Sequence, residues 1–268
     1  MAIGQPRIGR GAMTDRSPAA IVERRRTTLR ALDPEPQPKA TLLEAVDVSR
    51  STLDRSLREL STVGFAASTT AGYRLTPLGR LALDEHDRRV ERIGAIADAA
   101  SLFEGVDLQT EIAPGVFDGA TLVESTPHAP YQPVDRVTTL IETATHVSAY
   151  SARFLDRHAS LYHDRIVEDA MTGTFVTTDR VLDRIAETRP DDLRESVALG
   201  RVGVRRTDHA APITLVLAET PDGPEMGLVV YRDDTPLGFV GNDDPAATRW
   251  ARAYVDRLWT AGTPFDPT

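Results

Sequence analysis

The sequence predicts an α+β protein in which an N-terminal winged helix-turn-helix is joined by a long helix to a C-terminal mixed α/β domain. Two short helical patterns and a hairpin pattern follow one another between Lys39 and Leu81. An uninterrupted helical pattern then leaves the hairpin. After it, helices and strands alternate before they give way to consecutive strands. A chain of 268 residues has room for two such domains.

We expect four segments along the chain. Residues 1–17 are rich in glycine, arginine and polar residues and show no periodicity, so they predict a disordered tail. Residues 18–82 are expected to form the winged helix-turn-helix, which begins with a helix opened by Ser17-Pro18. Residues 83–103 continue as a connecting and dimerising helix, and residues 104–268 form the α/β domain.

The helix-turn-helix is predicted by spacing and by a cap. A short helical pattern after Lys39 is closed by the turn Asp47-Val48-Ser49, in which Ser49 is placed to cap a second helix. Apolar residues at helical spacing continue that second helix until Gly64 ends it: Leu53, Leu57, Leu60 and Val63.

A hairpin and a further helix start follow at once. Residues 65–67 and 73–75 predict two short strands around the turn 68–72. Thr76-Pro77 then begins a helix, with Thr76 as its cap and proline at the first helical position. Helix, turn, helix and hairpin in this order describe a winged helix-turn-helix, whose second helix enters the major groove of DNA in proteins of this kind.

The second helix presents hydrogen-bonding side chains away from its apolar face. Arginine can bond bidentately to guanine, and hydroxyl groups can reach bases or phosphates. We therefore expect double-stranded DNA as the partner, with base contacts from Arg50, Ser51, Thr52 and Arg55. Arg58, further along the helix, and Arg74, at the exit of the hairpin, are placed for phosphate contacts. The alternative is a helical hairpin with an ordinary solvated face.

The distribution of charge favours the DNA-binding interpretation. Residues 1–100 hold 16 basic and 13 acidic side chains, whereas residues 101–268 hold 15 basic and 27 acidic side chains. A net-basic N-terminal part on a chain of net charge −9 is expected if that part alone contacts nucleic acid.

Several classes of protein are excluded or disfavoured by composition. The sequence has no cysteine, which excludes disulfides and thiolate chemistry, and its one lysine, Lys39, lies in no glycine-rich loop. His158 and His163 are five residues apart, about 140° around a helix, so they do not predict a metal site. We expect no enzymatic activity, no cofactor and no metal. The sequence shows no signal peptide and no transmembrane run, which predicts a cytoplasmic protein without membrane contact.

The helix that leaves the hairpin is longer than a winged helix needs. It can run from Thr76 to Gly94 or Phe103, with apolar residues at Leu78, Leu81, Leu83, Val90, Ile93 and Ile96. Because paired DNA half-sites require a protein with two-fold symmetry, we expect this helix to dimerise the chain.

The remaining residues predict a mixed sheet with helices. Helices are expected at residues 134–145, 154–170, 179–187, 191–199 and 245–260. Strands are expected at residues 120–123, 146–150, 173–177, 202–206, 213–218, 225–231 and 237–240.

Polar side chains at or just beyond the ends of several predicted strands suggest a ligand site. Ligands of α/β sheets bind outside the carboxyl ends of strands. Hydroxyl groups, one arginine and an amide suit a small polar or anionic effector, and the candidates are Ser148, Tyr150, Ser151, Arg153, Thr177, Thr178, Tyr231 and Asn242. Taken singly, each of them is better explained as surface decoration or as a helix cap, and only as a group do they indicate a ligand site.

Two motifs carry a family resemblance. The run V-S-R-S-T-L-D-R-S-L-R-E-L followed by G-Y-R-L-T-P-L-G resembles archaeal, haloarchaeal-type winged-helix transcription regulators. The tail F-V-G-N-D-D-P-A-A-T-R-W-A-R-A-Y-V-D-R-L-W resembles the end of their FilR-type effector domain. The resemblance covers nearly the whole chain after residue 17. It implies a degenerate phospholipase-D-like second domain without catalytic residues, and it carries over no particular effector.

The sequence therefore predicts a dimeric, sequence-specific transcription regulator that responds to a small molecule. One alternative is a winged-helix module that binds a protein partner and has an architectural C-terminal domain. The other is an enzyme with a DNA-binding appendage, which the missing nucleophile, metal set and cofactor loop disfavour.

Overall fold

The structure, a computed structural model, describes residues 17–108 and 111–266. The chain divides into two compact units, of which the first ends at Glu91 and the second begins at Arg92. The tail predicted to be disordered, residues 1–17, lies outside the described residues except for Ser17. None of the described helices is both long enough and apolar enough to cross a membrane.

The first unit is a winged helix-turn-helix, as predicted. Its elements are α1 (Pro18–Ala31), α2 (Lys39–Ala45), α3 (Arg50–Thr62), β1 (Ala66–Thr69), β2 (Gly72–Leu75) and the beginning of α4 (Pro77–Asp98). The apolar positions that predicted these helices form the core, where Leu42, Leu53, Leu57 and Leu60 are fully buried beside Leu29 of α1.

Both predicted caps of this unit are confirmed. The Ser49 hydroxyl oxygen accepts a hydrogen bond from the Thr52 backbone N–H at 3.2 Å, at the start of α3. The Thr76 hydroxyl oxygen accepts one from the Gly79 N–H at 3.0 Å, at the start of α4. Each cap supplies an acceptor for an N–H group that has no partner within its own helix.

The hairpin is tighter than predicted and has a third strand-like partner. Its strands extend to Thr69 and Gly72, so the loop between them is two residues rather than five. The Gln37 N–H donates to the Tyr73 carbonyl at 2.8 Å, and the Tyr73 N–H donates to the Gln37 carbonyl at 2.9 Å. The segment before α2, predicted to be only a stiff linker, therefore also pairs with the hairpin.

The second unit is built on an eight-stranded mixed sheet. Its strands are β3 (Thr121–Glu124), β4 (His146–Ser151), β5 (Thr172–Thr177), β6 (Val202–Arg206), β7 (Ile213–Thr220), β8 (Gly223–Arg232), β9 (Thr235–Asn242) and β10 (Thr263–Pro264). They lie in the order β10-β6-β5-β4-β7-β8-β9-β3. The pairs β4–β5 and β5–β6 are parallel, and all other pairs are antiparallel.

Helices cover both faces of this sheet. On one face α9 (Pro245–Ala261) packs against the strands through Ala251, Tyr254 and Val255. On the other face lie α5 (Gln132–Thr143) and α6 (Asp156–Val167), followed by α7 (Asp179–Thr188) and α8 (Pro190–Ala198). All the helices and strands predicted for this unit are present, and the short edge strand β10 was not predicted.

Candidate DNA-binding surface and effector cavity

The first turns of α3 present an exposed polar surface. Arg50 and Ser51 are exposed, and the Ser49 hydroxyl lies 3.0 Å from that of Ser51 and 2.9 Å from that of Thr52. Arg55 follows on the exposed side of the helix. The buried face of α3, with Leu53 and Leu57, fixes the direction of these side chains because residues three and four apart share a face.

Four predicted DNA contacts are cations without a carboxylate partner. Arg50, Arg55, Arg58 and Arg74 form no ion pair with any residue in the ranges 17–108 and 111–266. The first three are exposed on α3, and Arg74 is half-buried on β2 of the hairpin. A guanidinium that has no internal partner remains available for a phosphate or a base edge.

The two acidic residues of α3 are neutralised by other elements. Asp54 accepts a hydrogen bond from the Lys39 ammonium at 2.7 Å, and this bond lowers the pKa of the carboxyl group. Glu59 accepts from the Arg25 Nε at 2.9 Å, which likewise lowers its pKa. Lys39 is the only lysine of the chain and begins α2. Neutralising these carboxylates leaves α3 with a net-positive exposed surface.

A cavity of about 160 Å³ lies in the second unit between the sheet and the helices α6, α7 and α8. Most of its lining is aliphatic or aromatic, with Ile166, Phe175, Val181 and Leu182 among the residues that form it. Of the eight predicted effector residues, Ser151, Arg153 and Thr177 line this cavity. The Ser151 hydroxyl lies 2.8 Å from the Thr214 hydroxyl, and Thr177 donates to the Ser151 carbonyl at 2.6 Å.

A second, larger cavity of about 690 Å³ lies beside α7 and the β8–β9 turn. Arg153 and Tyr231 line it, together with Arg180, Arg184 and Asp234. Arg153 forms an ion pair with Asp234, and its guanidinium lies 5.9 Å from the centre of the Tyr231 ring. The structure therefore brings Ser151, Arg153, Thr177 and Tyr231 into one region.

The other four predicted effector residues lie elsewhere. Ser148 and Tyr150 point to the opposite sheet face from Ser151, and the Tyr150 hydroxyl donates to the His209 carbonyl at 2.9 Å. Thr178 is the residue before α7. The buried Asn242 side chain donates to two backbone carbonyls, at 3.0 and 2.9 Å, and accepts from the Asp244 N–H at 2.8 Å.

Three cavity residues from α6 were not predicted as effector contacts. His158 is 7 % exposed and its Nε2 lies 3.1 Å from the Thr138 hydroxyl, and burial lowers its pKa to about 4. Burial raises the pKa of Tyr162. His163 Nδ1 lies 3.2 Å from the Ser196 hydroxyl on α8. A helical pattern shows that these residues share α6, but it does not show which sheet face they meet.

The histidines and carboxylates do not gather into a metal site in the described part of the chain. Within residues 17–108 and 111–266, no group of three or more such residues has the spacing to hold a metal ion. His163 has two carboxylates nearby, and its Nε2 lies 3.9 Å from an Asp192 oxygen and 3.6 Å from a Glu195 oxygen.

Two family models match the chain. Residues 14–98 match the HVO_A0261 N-terminal domain, and residues 130–261 match the middle domain of the methanogenesis regulatory protein FilR1. The two matches support an archaeal transcription regulator whose second unit is similar to the middle domain of FilR1. They support a DNA-binding transcription regulator. No curated protein matches the chain in sequence.

Solved structures with a similar fold are distant. TrmBL2, an archaeal chromatin protein, is 14 % identical over 92 % of this chain and 98 % of its own, with a TM-score of 0.44. Nuc, a phospholipase D family member from Salmonella typhimurium, is 11 % identical over 55 % of this chain and 98 % of its own, with a TM-score of 0.40. NucT from Helicobacter pylori has the same identity and coverage, with a TM-score of 0.36.

Proposed function

We propose that this regulator is a homodimer that binds specific DNA sequences and whose DNA binding changes with a small-molecule effector. The observation that carries the proposal is the charge arrangement of α3. Within the described residues its exposed arginines lack ion-pair partners, whereas Asp54 and Glu59 are both paired with cations from other helices. A helix arranged in this way attracts an anionic partner and does not repel it with its own carboxylates.

The proposed roles follow from position along α3 and the hairpin. Arg50, Ser51, Thr52 and Arg55 occupy the first turns, which lead into the major groove in helix-turn-helix proteins, and we assign them to the base edges. Arg58 lies further along α3 and Arg74 lies on β2, and we assign both to phosphates. Base contacts carry sequence specificity, whereas phosphate contacts carry affinity and salt dependence.

An Arg55→Ala substitution tests the proposed base contact. DNA sites are selected from a random pool with the full chain, and affinities for the selected site and for random DNA are measured at fixed salt. We expect Arg55→Ala to cost about 1–3 kcal/mol on the selected site and much less on random DNA. Arg58→Ala is expected to weaken binding to the selected site and to random DNA equally. It should also reduce by about 1 the slope of the logarithm of affinity against the logarithm of salt concentration.

Arg249→Ala is the matched control, because Arg249 is an exposed arginine of the second unit. Equal losses by Arg55→Ala on both DNAs would make Arg55 a phosphate contact. If the unsubstituted chain selects no sequence and binds no DNA, the alternative role as a protein-interaction module replaces this proposal.

Dimerisation is proposed through α4. This helix keeps five large apolar side chains at 40–63 % exposure: Leu78, Leu81, Val90, Ile93 and Ile96. An apolar stripe on this helix consists of Val90, Ile93 and Ala97. These residues are three and four positions apart, which is the spacing of a coiled-coil seam. Burying such a stripe against the same stripe of a second copy removes apolar surface from water, which stabilises a symmetric pair.

An Ile93→Glu substitution tests the dimer. Because the Ile93 side chain is 59 % exposed, the change is expected to leave the folded monomer intact and to convert a dimer into a monomer. Light scattering of the full chain measures the mass. Asp84→Lys, a charge change at an exposed position about 140° around α4 from that stripe, is the control and should remain dimeric. A monomeric unsubstituted chain on its DNA site contradicts the proposal.

We assign the second unit to sensing and not to catalysis. The support is the cavity between the sheet and α6, α7 and α8, which brings together Ser151, Arg153 and Thr177 near Tyr231. The family model that matches this unit describes the middle domain of a methanogenesis regulatory protein, which also favours a sensor. Because the proposed partner is DNA, we propose that the protein works in the cytoplasm.

A further inference from the structure

We propose that the effector is a small organic anion with one ring-sized apolar body. The body would fill the cavity between the sheet and α6, α7 and α8, and the anionic group would pair with Arg153 in place of Asp234. This inference rests on the proposed effector response and adds the chemical class of the ligand. It narrows the sequence-based expectation of a small polar or anionic effector to an anion, and it adds an apolar body.

The size and the lining of the smaller cavity define the body of the ligand. Its volume is about 160 Å³. An apolar cavity of about 150 Å³ in another protein stays dry and accepts benzene, so a six-membered ring fits this space. The walls are formed by side chains such as Phe175, Val181, Leu182 and Val216, with Ala159 on α6 leaving room at one side. A sugar or a free phosphate would lose its hydration here without gaining enough hydrogen bonds.

Arg153 connects this apolar space with the larger, more polar cavity. Arg153, Phe154, Leu155 and Val181 line both cavities, so the two share a wall. The Arg153 side chain is only 21 % exposed, and it is the cation on that shared wall. A ring in the smaller cavity therefore directs its substituent toward the Arg153 guanidinium, which binds carboxylates and phosphates through two parallel hydrogen bonds.

Asp234 already places a carboxylate at this point. It pairs with Arg153 and, at 3.3 Å, with Arg180 of α7. Asp234 lies in the β8–β9 turn with φ of +67°, beside Asp233 with φ of +47°, and its side chain is 50 % exposed. Because the Asp234 side chain is half-exposed, its carboxylate can return to water when a ligand carboxylate takes its place on Arg153.

Tyr231 supplies a polar group next to the same arginine. The residue is 2 % exposed, its ring lies 5.9 Å from the Arg153 guanidinium, and burial raises the pKa of its phenol. Its hydroxyl has no hydrogen-bond partner of normal geometry among the described residues, although Thr214 is near enough to affect its pKa. A ligand oxygen that reaches this buried hydroxyl can form the hydrogen bond of normal geometry that Thr214 does not provide.

Calorimetric titration of the full chain tests the ligand class. Benzoate, phenylacetate and phenyl phosphate carry a ring and an anion, benzyl alcohol carries the ring without the charge, and acetate and inorganic phosphate carry the charge without the ring. We expect at least one of the first three to bind at least tenfold more tightly than the other probes. The relative affinities of benzoate and phenyl phosphate identify the preferred anion. Equal binding of benzyl alcohol, or of acetate or phosphate, overturns the proposal, as does no binding of any ring anion at millimolar concentration.

Two substitutions locate the site. Asp234→Asn removes the internal carboxylate and is expected to raise the affinity for the best ring anion severalfold. Its control, Asp183→Asn, removes a charge from the wall of the larger cavity without affecting the Arg153 pair. Ala159→Leu adds three carbon atoms to the smaller cavity and is expected to abolish binding while the melting temperature holds or rises. Undiminished binding by Ala159→Leu, or an equal effect of the two Asn variants, contradicts the assignment.

The same preparations separate this inference from the proposed function. DNA binding by the free chain is measured alongside each titration. DNA binding without any binding of a ring anion overturns the ligand assignment alone. Ring-anion binding by a chain that binds no DNA supports the ligand assignment and overturns the proposed DNA-binding function.

Discussion

Replacing Gly72 by alanine tests whether the Gln37 segment is a fixed third strand of the hairpin. Gly72 has φ of +136°, a conformation that only glycine adopts without strain. A Cβ atom built at this position lies 2.0 Å from the Gln37 carbonyl oxygen. The clash is with backbone and not with a flexible side chain. The substitution therefore has to displace the segment that pairs with Tyr73.

The expected cost has two parts. The backbone strain of a non-glycine residue at this φ costs about 1–3 kcal/mol. Loss of the two hydrogen bonds between Gln37 and Tyr73 adds about 0.5–1.5 kcal/mol for each. Gly64→Ala is the matched control, because Gly64 also has a positive φ, +78°, but a Cβ there has no atom within 4 Å. That control should cost about 1–2 kcal/mol, through strain alone.

Native-state hydrogen exchange of the full chain measures the difference. The Tyr73 N–H donates to Gln37, so its protection reports directly on the pairing. We expect Gly72→Ala to remove this protection and Gly64→Ala to retain most of it. Equal protection of the Tyr73 amide in the two variants would refute the reasoning, because the Gln37 segment would then move aside without loss of pairing.

Three further predictions concern stability. The hydrogen bond from Arg25 lowers the pKa of Glu59, so the part of the unfolding free energy that this bond supplies above about pH 4.3 should be lost as the pH falls. Glu59→Gln should reduce this loss in acid denaturation. An acid denaturation curve that is the same for the variant and the unsubstituted chain contradicts the prediction. Burial lowers the pKa of His158 from 6.5 to about 4, so the unfolded chain binds the proton first and roughly 3 kcal/mol is lost between those pH values. In His158→Gln the urea midpoint of unfolding should change less between pH 7 and pH 5 than in the unsubstituted chain. An equal change of the midpoint with pH in both proteins refutes the assignment. Asn242→Ala leaves two buried carbonyls and the Asp244 N–H without their partner and should cost about 2–4 kcal/mol, measured as a lower melting temperature; an unchanged melting temperature contradicts it.

The secondary structure was accessible from the sequence because each element carries a local signal. Ser49 and Thr76 are side-chain caps, and the apolar residues of α3 recur at helical spacing. The predicted strand at residues 202–206 agrees with β6 to the residue. The pairing of Gln37 with Tyr73 has no such local signal, because it joins residues that are distant in sequence and depends on how α2 and the hairpin pack.

The candidate ligand site was only partly accessible. Alternation along β4 already implies that Tyr150 and Ser151 point to opposite sheet faces, so the predicted set could not converge as a whole. Asp234 and Ala159 carry no functional pattern in the sequence. Their importance depends on the packing of α6 and α7 and on the β8–β9 turn, which only a three-dimensional structure shows.

The ends of the large sheet influence how copies of the chain can associate. One outer strand, β10, has only two residues and includes Pro264, which has no N–H to donate, and the other outer strand, β3, has four. Short edges of this kind offer few unpaired backbone groups to another strand, which protects a sheet against edge-to-edge joining. Two copies therefore gain little by extending the sheet into a continuous sixteen-stranded one. Symmetric association is directed toward side-chain surfaces, such as the exposed apolar residues of α4.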